Sequence, residues 1–222
     1  MSWDWRIFVL PGSAWLVLPL VAVLGAVLAA RDPSARGPVL RWWATIAAAV
    51  LLVAASKIAF YGWGTGVRAW DLTCFSGHTV LGLVLWPVAL ALLVSPRHRA
   101  WRVSLAAVGW IFAGLIGVSR VMTRAHPPSE VLAGVLLGAA VAAHGLHTLR
   151  RHQWPRAWGM VPVILCLLAA LWIDPRSMRL PDSERWFAQI GATLAGRDKP
   201  WSRRLFKDVK AASAQALRNL PR

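Results

Sequence analysis

The chain has 222 residues, 57% hydrophobic and only 15% charged, with a mean hydropathy of +0.51, which excludes an ordinary soluble domain and places it in a bilayer. The formal net charge of +16 calls for no nucleic-acid partner, because anionic lipid headgroups attract Lys and Arg equally well. Cys74 and Cys166 have neither a Cys-x-x-Cys pair nor a ligand-like neighbour, so they make no case for a disulfide or a metal site.

In chain order, six apolar runs approach the roughly 20 residues of a spanning helix: Ser13–Ala30, Arg41–Phe60, Thr79–Val94, Trp101–Val118, Val131–Leu149 and Trp158–Ile173. The first ends in Val27-Leu28-Ala29-Ala30 before Arg31, like a signal peptide. Asp4 beside Arg6 and the length of the run predict that it is retained. Many of the 15 tryptophans lie at run ends, among them Trp42, Trp43, Trp101, Trp154, Trp158 and Trp172, which suits an aromatic belt. Trp86 and Trp110, inside runs, read as packing bulk.

Basic residues crowd the first, third and fifth connections (Arg31, Arg36, Arg41; Arg97, Arg99, Arg102; Arg150, Arg151, Arg156), which predicts that these face the cytoplasm. The second and fourth then face the periplasm or exterior. Six spans put both termini outside, at odds with a basic tail from Asp174 to Arg222. In that tail Trp201, Leu205, Val209, Ala212, Ala216 and Leu220 recur at helical spacing, as in an amphipathic helix lying on the membrane. A partly disordered solubilising tail is the other reading. The expected architecture is all-α and polytopic: a six-helix transmembrane domain over 1–173, with a motif core at 57–130, and a basic tail over 174–222. No internal repeat or β domain is visible.

Ionisable residues near membrane depth are expensive and point to function. They cluster twice: from Lys57 through Arg68 and Asp71 to Ser76-Gly77-His78, and from Ser119-Arg120 through Arg124 and His126 to Glu130. Pro127-Pro128 fits the first turn of a helix, where a missing N–H costs nothing. Glu130, four residues beyond His126, then shares its face and reaches a ring nitrogen, fixing the tautomer and supporting charge when the imidazole attacks phosphorus. Ser76-Gly77-His78 opens the third helix, whose N–H groups and positive dipole end suit an anion. His78 suits general acid chemistry. Lys57, Arg68 and Arg120 add cationic donors for phosphoryl oxygens. Arg124 reads equally as a headgroup contact or an interfacial anchor, Ser119 as a phosphate donor or a helix-end cap, and Asp71 as a partner of Arg68 or a cap. His98, His144, His147 and His152 read as packed or interfacial residues.

Ser-Gly-His followed about forty residues later by Ser-Arg-x5-His-x3-acid resembles the type 2 phosphatidic acid phosphatase (PAP2) superfamily, in its integral-membrane lipid phosphatase branch. The resemblance implies His126 as nucleophile, Glu130 as its partner, His78 as acid, and Lys57, Arg68, Ser76, Gly77 and Arg120 as phosphate ligands. Three features depart from the family pattern: ten residues instead of six between Lys57 and Arg68, with Ala69 for proline after it; Phe75 for proline before Ser76; and Glu130 for aspartate. The implied activity is hydrolysis of a lipid phosphate or pyrophosphate, such as undecaprenyl pyrophosphate, phosphatidic acid, phosphatidylglycerol phosphate or lipid A phosphate. No metal or other cofactor is expected. The implied location is the cell inner membrane, among anionic lipids, with the site facing the periplasm or exterior. A lipid phosphotransferase using the same histidine, and a non-catalytic lipid-phosphate binding or transport protein, are the alternatives. Oligomeric state has no sequence signal here.

Overall fold

The computed structural model describes residues 4–154 and 183–206. Among these, everything regular is helical, apart from one isolated bridge between Val67 and Leu72. The helices are α1 (Ala14–Arg31), α2 (Arg36–Trp63), α3 (Gly77–Leu92), α4 (Arg99–Met122), α5 (Pro128–Thr148) and α6 (Ser183–Leu194). The chain divides into two compact units, Met1–Val50 with Ser76–Arg179, and Leu51–Phe75 with Leu180–Arg222, so α2 contributes its two halves to different units.

In the first unit α3 is the core, packed against α4, α5 and α1, and nearly every one of its residues from Thr79 to Leu92 is buried. Its 16 residues rise only about 24 Å, short of the ~30 Å hydrocarbon core. α1, α2, α4 and α5 are each long and apolar enough to cross a membrane, as in a multi-pass membrane protein. The sixth expected span, Trp158–Ile173, lies outside the described residues, as does most of the amphipathic helix expected beyond Trp201.

Close helix approach comes from small residues. A Cβ on Gly109 of α4 would lie 2.6 Å from the Pro87 Cα and the Trp86 carbonyl oxygen, so α4 crosses α3 where Pro87 interrupts its hydrogen-bond ladder. Along α5, Gly134 faces Ser76 and Thr79, Gly138 faces Leu83, and Gly145 faces the Trp42 ring. This is the small-residue stripe by which membrane helices pack. On its outer side α4 exposes Val108, Ile111, Leu115, Val118 and Met122, an apolar face suited to lipid.

Burial corrects the aromatic-belt expectation at two positions. Trp42 is fully buried against Gly145, and Trp154 is buried with its backbone N–H donating to the Leu92 carbonyl at 2.9 Å. A glycine opposite Trp42 supplies the slot, a pairing invisible in a run-end pattern. Trp101, by contrast, is 69% exposed. Trp86 is packing bulk as expected: its Nε1 donates to the Pro11 carbonyl at 3.0 Å and its ring meets Phe112 edge-on at 4.9 Å.

In the second unit the latter half of α2 packs on α6, which no sequence pattern announced. A Cβ on Gly62 would lie 2.7 Å from the Gly191 carbonyl oxygen, and one on Gly191 would lie 2.7 Å from that of Ile58. The Trp201 N–H donates to the Tyr61 carbonyl at 2.8 Å, and Phe206 meets Phe60 edge-on.

Candidate active site

The site in the first unit begins at the turn between α4 and α5. α4 ends with Thr123 Oγ1 donating to the Ser119 carbonyl at 2.7 Å and with Arg124 in the left-handed region at φ 56°. The Arg124 N–H donates to the Val121 carbonyl and the Ala125 N–H to the Arg120 carbonyl, both at 2.9 Å, the pairing that closes a helix around a left-handed residue. The same Arg120 carbonyl accepts the His126 N–H at 3.1 Å, so the turn carries His126 directly back over the end of α4. Pro127 is extended and Pro128 opens α5, as the Pro-Pro pair predicts.

Glu130, in the first turn of α5, has no solvent exposure, and its Oε2 lies 2.6 Å from Nδ1 of the buried His126. A carboxylate only accepts, so opposite an ionised Glu130 it is Nδ1 that donates, and Nε2 is then the ring nitrogen able to act as base or nucleophile.

The beginning of α3 joins the same constellation. The Ser76 N–H donates to the Glu130 carbonyl at 3.2 Å, tying the start of α3 to the start of α5. Ser76 is fully buried at the N-cap, its Oγ accepting from Thr79 Oγ1 at 2.9 Å, and Gly77 and His78 occupy the first turn. The first N–H groups of a helix have no intrahelical acceptor and sit at its positive end, an arrangement able to receive an anion. Behind it the N-terminal segment presses closely: a Cβ on Gly12 would lie 3.0 Å from the His78 carbonyl oxygen. Gly134, one turn after Glu130, lets α5 approach the Ser76 carbonyl, from which an added Cβ would be 3.0 Å.

The structure therefore links Ser76, Glu130, His126 and the Arg120 backbone by direct hydrogen bonds, with Gly77 and His78 next in chain. Ser119 is fully buried with its Oγ donating to the Ile116 carbonyl at 2.6 Å, the helix-end role of its two readings. Lys57 and Arg68 belong to the second unit. There Lys57 is 4% exposed, its Nζ is bonded to Glu184 Oε1, and it stacks 5.6 Å from the Phe187 ring centroid. Tyr61 donates to the other Glu184 oxygen at 2.9 Å. Arg68 is exposed and stacks 5.6 Å from the Phe206 ring centroid, close before Asp71, which adopts a left-handed conformation.

Sequence reading missed Glu184, 127 residues from Lys57. One signal was available: with nine acidic residues against 25 basic ones, any acid beside an apolar stretch is a candidate counter-ion for a buried lysine.

Comparison with known proteins bears on this geometry. A sequence profile of the PAP2 superfamily matches residues 61–154, a range that holds both the Ser76-Gly77-His78 turn and the His126–Glu130 pair. The chain is similar to an uncharacterized 22.5 kDa protein in the cps region of Klebsiella pneumoniae, 34% identical over 204 residues, which cover 90% of this chain and 96% of that protein. No solved structure matches. With the motif segments inside the matched range and a relative aligned over nearly its whole length, the chain belongs to the PAP2 superfamily, whose members are generally phosphatases.

Proposed function

We propose that this protein is a membrane lipid phosphatase that hydrolyses a lipid phosphate or pyrophosphate through a phosphohistidine, without a metal. The observation that carries the proposal is the buried 2.6 Å contact between Glu130 Oε2 and His126 Nδ1 beside the N-terminal turn of α3. In the first step His126 Nε2 forms a bond to phosphorus as the bond from phosphorus to the leaving oxygen breaks. Protonated His78 donates its proton to that oxygen. Glu130 stabilises the positive charge gained by the imidazole. In the second step water attacks phosphorus, the N–P bond breaks, and neutral His78 takes the water proton. The Gly77 turn and Arg120 stabilise the equatorial oxygens.

The membrane setting favours a lipid substrate, since the His126 turn lies at the ends of two helices long and apolar enough to cross a bilayer. The distribution of arginines over the connections favours a site facing the periplasm or exterior of an inner membrane. The test is inorganic phosphate release from a panel of lipid phosphates and pyrophosphates by purified protein, with chelator present. Release lost in His126→Ala and reduced by about 100-fold or more in Glu130→Gln supports the proposal. Release that stops on chelation, or that ignores His126, overturns it. Release only when an acceptor lipid is added indicates a phosphotransferase.

A further inference from the structure

We propose a second, non-catalytic lipid site at the opposite end of the α4–α5 hairpin: a groove that holds one anionic glycerophospholipid of the leaflet away from His126. It does not depend on the phosphatase reading. The hairpin sets the geometry, because α4 runs 24 residues from Arg99 to Met122, a rise of about 36 Å, and His126 follows its far end. The Arg99 end therefore lies about one hydrocarbon thickness from the His126 turn.

At that end the first unit has a groove of about 770 Å³. Arg99, Arg102, Arg150 and Arg151 stand at it, and among the described residues that line it there is no carboxylate. An adjoining groove differs, since Asp32 lies in its wall beside His152, at 2.7 Å, and supplies an anion from within the protein. The first groove has a cationic surplus that an external anion would balance.

Two further features favour a lipid over a bare anion. Below the arginines the wall is apolar, formed by Val103, Ala106, Ala107, Trp110 and Leu146, with the small side chains of Ala106 and Ala107 on α4 between the larger ones. The volume is of the size that holds a small organic ligand, in the range of about 300–1,000 Å³. Arg102 is also fixed in advance. Its Nη1 and Nη2 donate to the His152 and Leu149 carbonyls at 2.8 and 3.0 Å, which immobilises the guanidinium without cancelling its charge. The occupant has its phosphodiester among Arg99, Arg102 and Arg151 and one acyl chain along α4.

The test is native mass spectrometry of delipidated full-length protein titrated with equal phosphatidylglycerol and phosphatidylcholine of matched chains. Wild type is expected to favour phosphatidylglycerol by about 30-fold, the scale of two surface arginines acting on an anionic lipid. Arg99→Gln with Arg151→Gln spares Arg102 and its carbonyl contacts, and is expected to bring the ratio near unity. Ala106→Phe crowds the apolar wall and is expected to lower the phosphatidylglycerol adduct with the charge unchanged. The exposed Ala107→Leu reads the same effect if Ala106→Phe fails to fold. Equal adducts of both lipids in wild type would overturn the proposal. So would displacement by millimolar inorganic phosphate, or a loss confined to the arginine variant with both variants of the apolar wall unchanged, since each describes a plain anion patch.

Discussion

The same substitution at two glycines should have opposite effects. In Gly138→Ala the new Cβ would lie 2.8 Å from Leu83 Cβ, 3.0 Å from Leu83 Cδ1 and 3.1 Å from the Val80 carbonyl oxygen. Ordinary carbon contacts begin near 3.5 Å, so α5 must lift from α3 by a substantial fraction of an ångström, and overpacking of this kind costs about 1–3 kcal/mol. Glu130 and the acceptor for the Ser76 N–H ride on α5 two turns earlier, so the lift also loosens the site. A misplacement approaching 1 Å costs up to about 100-fold in rate. In Gly114→Ala the new methyl meets nothing within 4 Å, and the gain in helix propensity is worth up to about 1 kcal/mol. Melting of the two variants in one detergent, followed by phosphate release, checks both signs. For a chain of this size the expected changes in Tm are a fall of about 2–10 °C for Gly138→Ala and none, or a small rise, for Gly114→Ala. A Gly138→Ala protein as stable and active as wild type would refute the tight seating of α5 on α3.

Three other outcomes follow from the described contacts. Arg124→Gly is expected to stabilise the α4–α5 turn by about 1 kcal/mol, because Arg124 sits at φ 56° where an L side chain is strained; a stabilised variant with unchanged phosphate release would favour the anchor reading of Arg124, and one with raised KM the headgroup contact. Glu184→Gln leaves the buried Lys57 without its anion and is expected to cost about 1–3 kcal/mol, less than a fully buried pair because the Glu184 side chain is 42% exposed. Thermal melts should show Lys57→Met with Glu184→Gln less destabilised than Glu184→Gln alone. At the first connection, the Ser34 hydroxyl and then His152 hold the Asp32 carboxyl below its ordinary value of 3.8. A carboxyl lowered on folding stabilises the protein above its ordinary pKa and loses that contribution as pH falls through the folded value. Wild type should therefore exceed Asp32→Asn modestly in stability above about pH 4, the gap closing below it; a gap that widens below about pH 4 would contradict the pairing.

Helix positions were legible because an apolar run of spanning length has few other solutions: α2 and α4 contain the runs that announced them, and α1 and α5 contain all of theirs but one end residue, Ser13 and Leu149. The beginning of α5 was legible from Pro127-Pro128, and the reach of Glu130 to His126 from a four-residue spacing, since both are local rules. What stayed hidden depends on distant partners. The burial of Trp42 needs Gly145, the anchoring of Lys57 needs Glu184, and the link between the two motif segments is a backbone bond from Ser76 to Glu130 that no side-chain pattern encodes. α6 escaped notice because its apolar residues are interrupted by Arg185 and Gln189, and its fit to α2 rests on one glycine from each helix.

The central claim is that His126 is phosphorylated in turnover. Brief reaction with a lipid phosphate labelled at phosphorus, an alkaline quench and peptide mapping tests it directly. The account predicts a base-stable, acid-labile phosphoryl group on His126, absent from His126→Ala and scarce in Glu130→Gln. Steady release of phosphate with no labelled histidine, undiminished in His126→Ala, would contradict it.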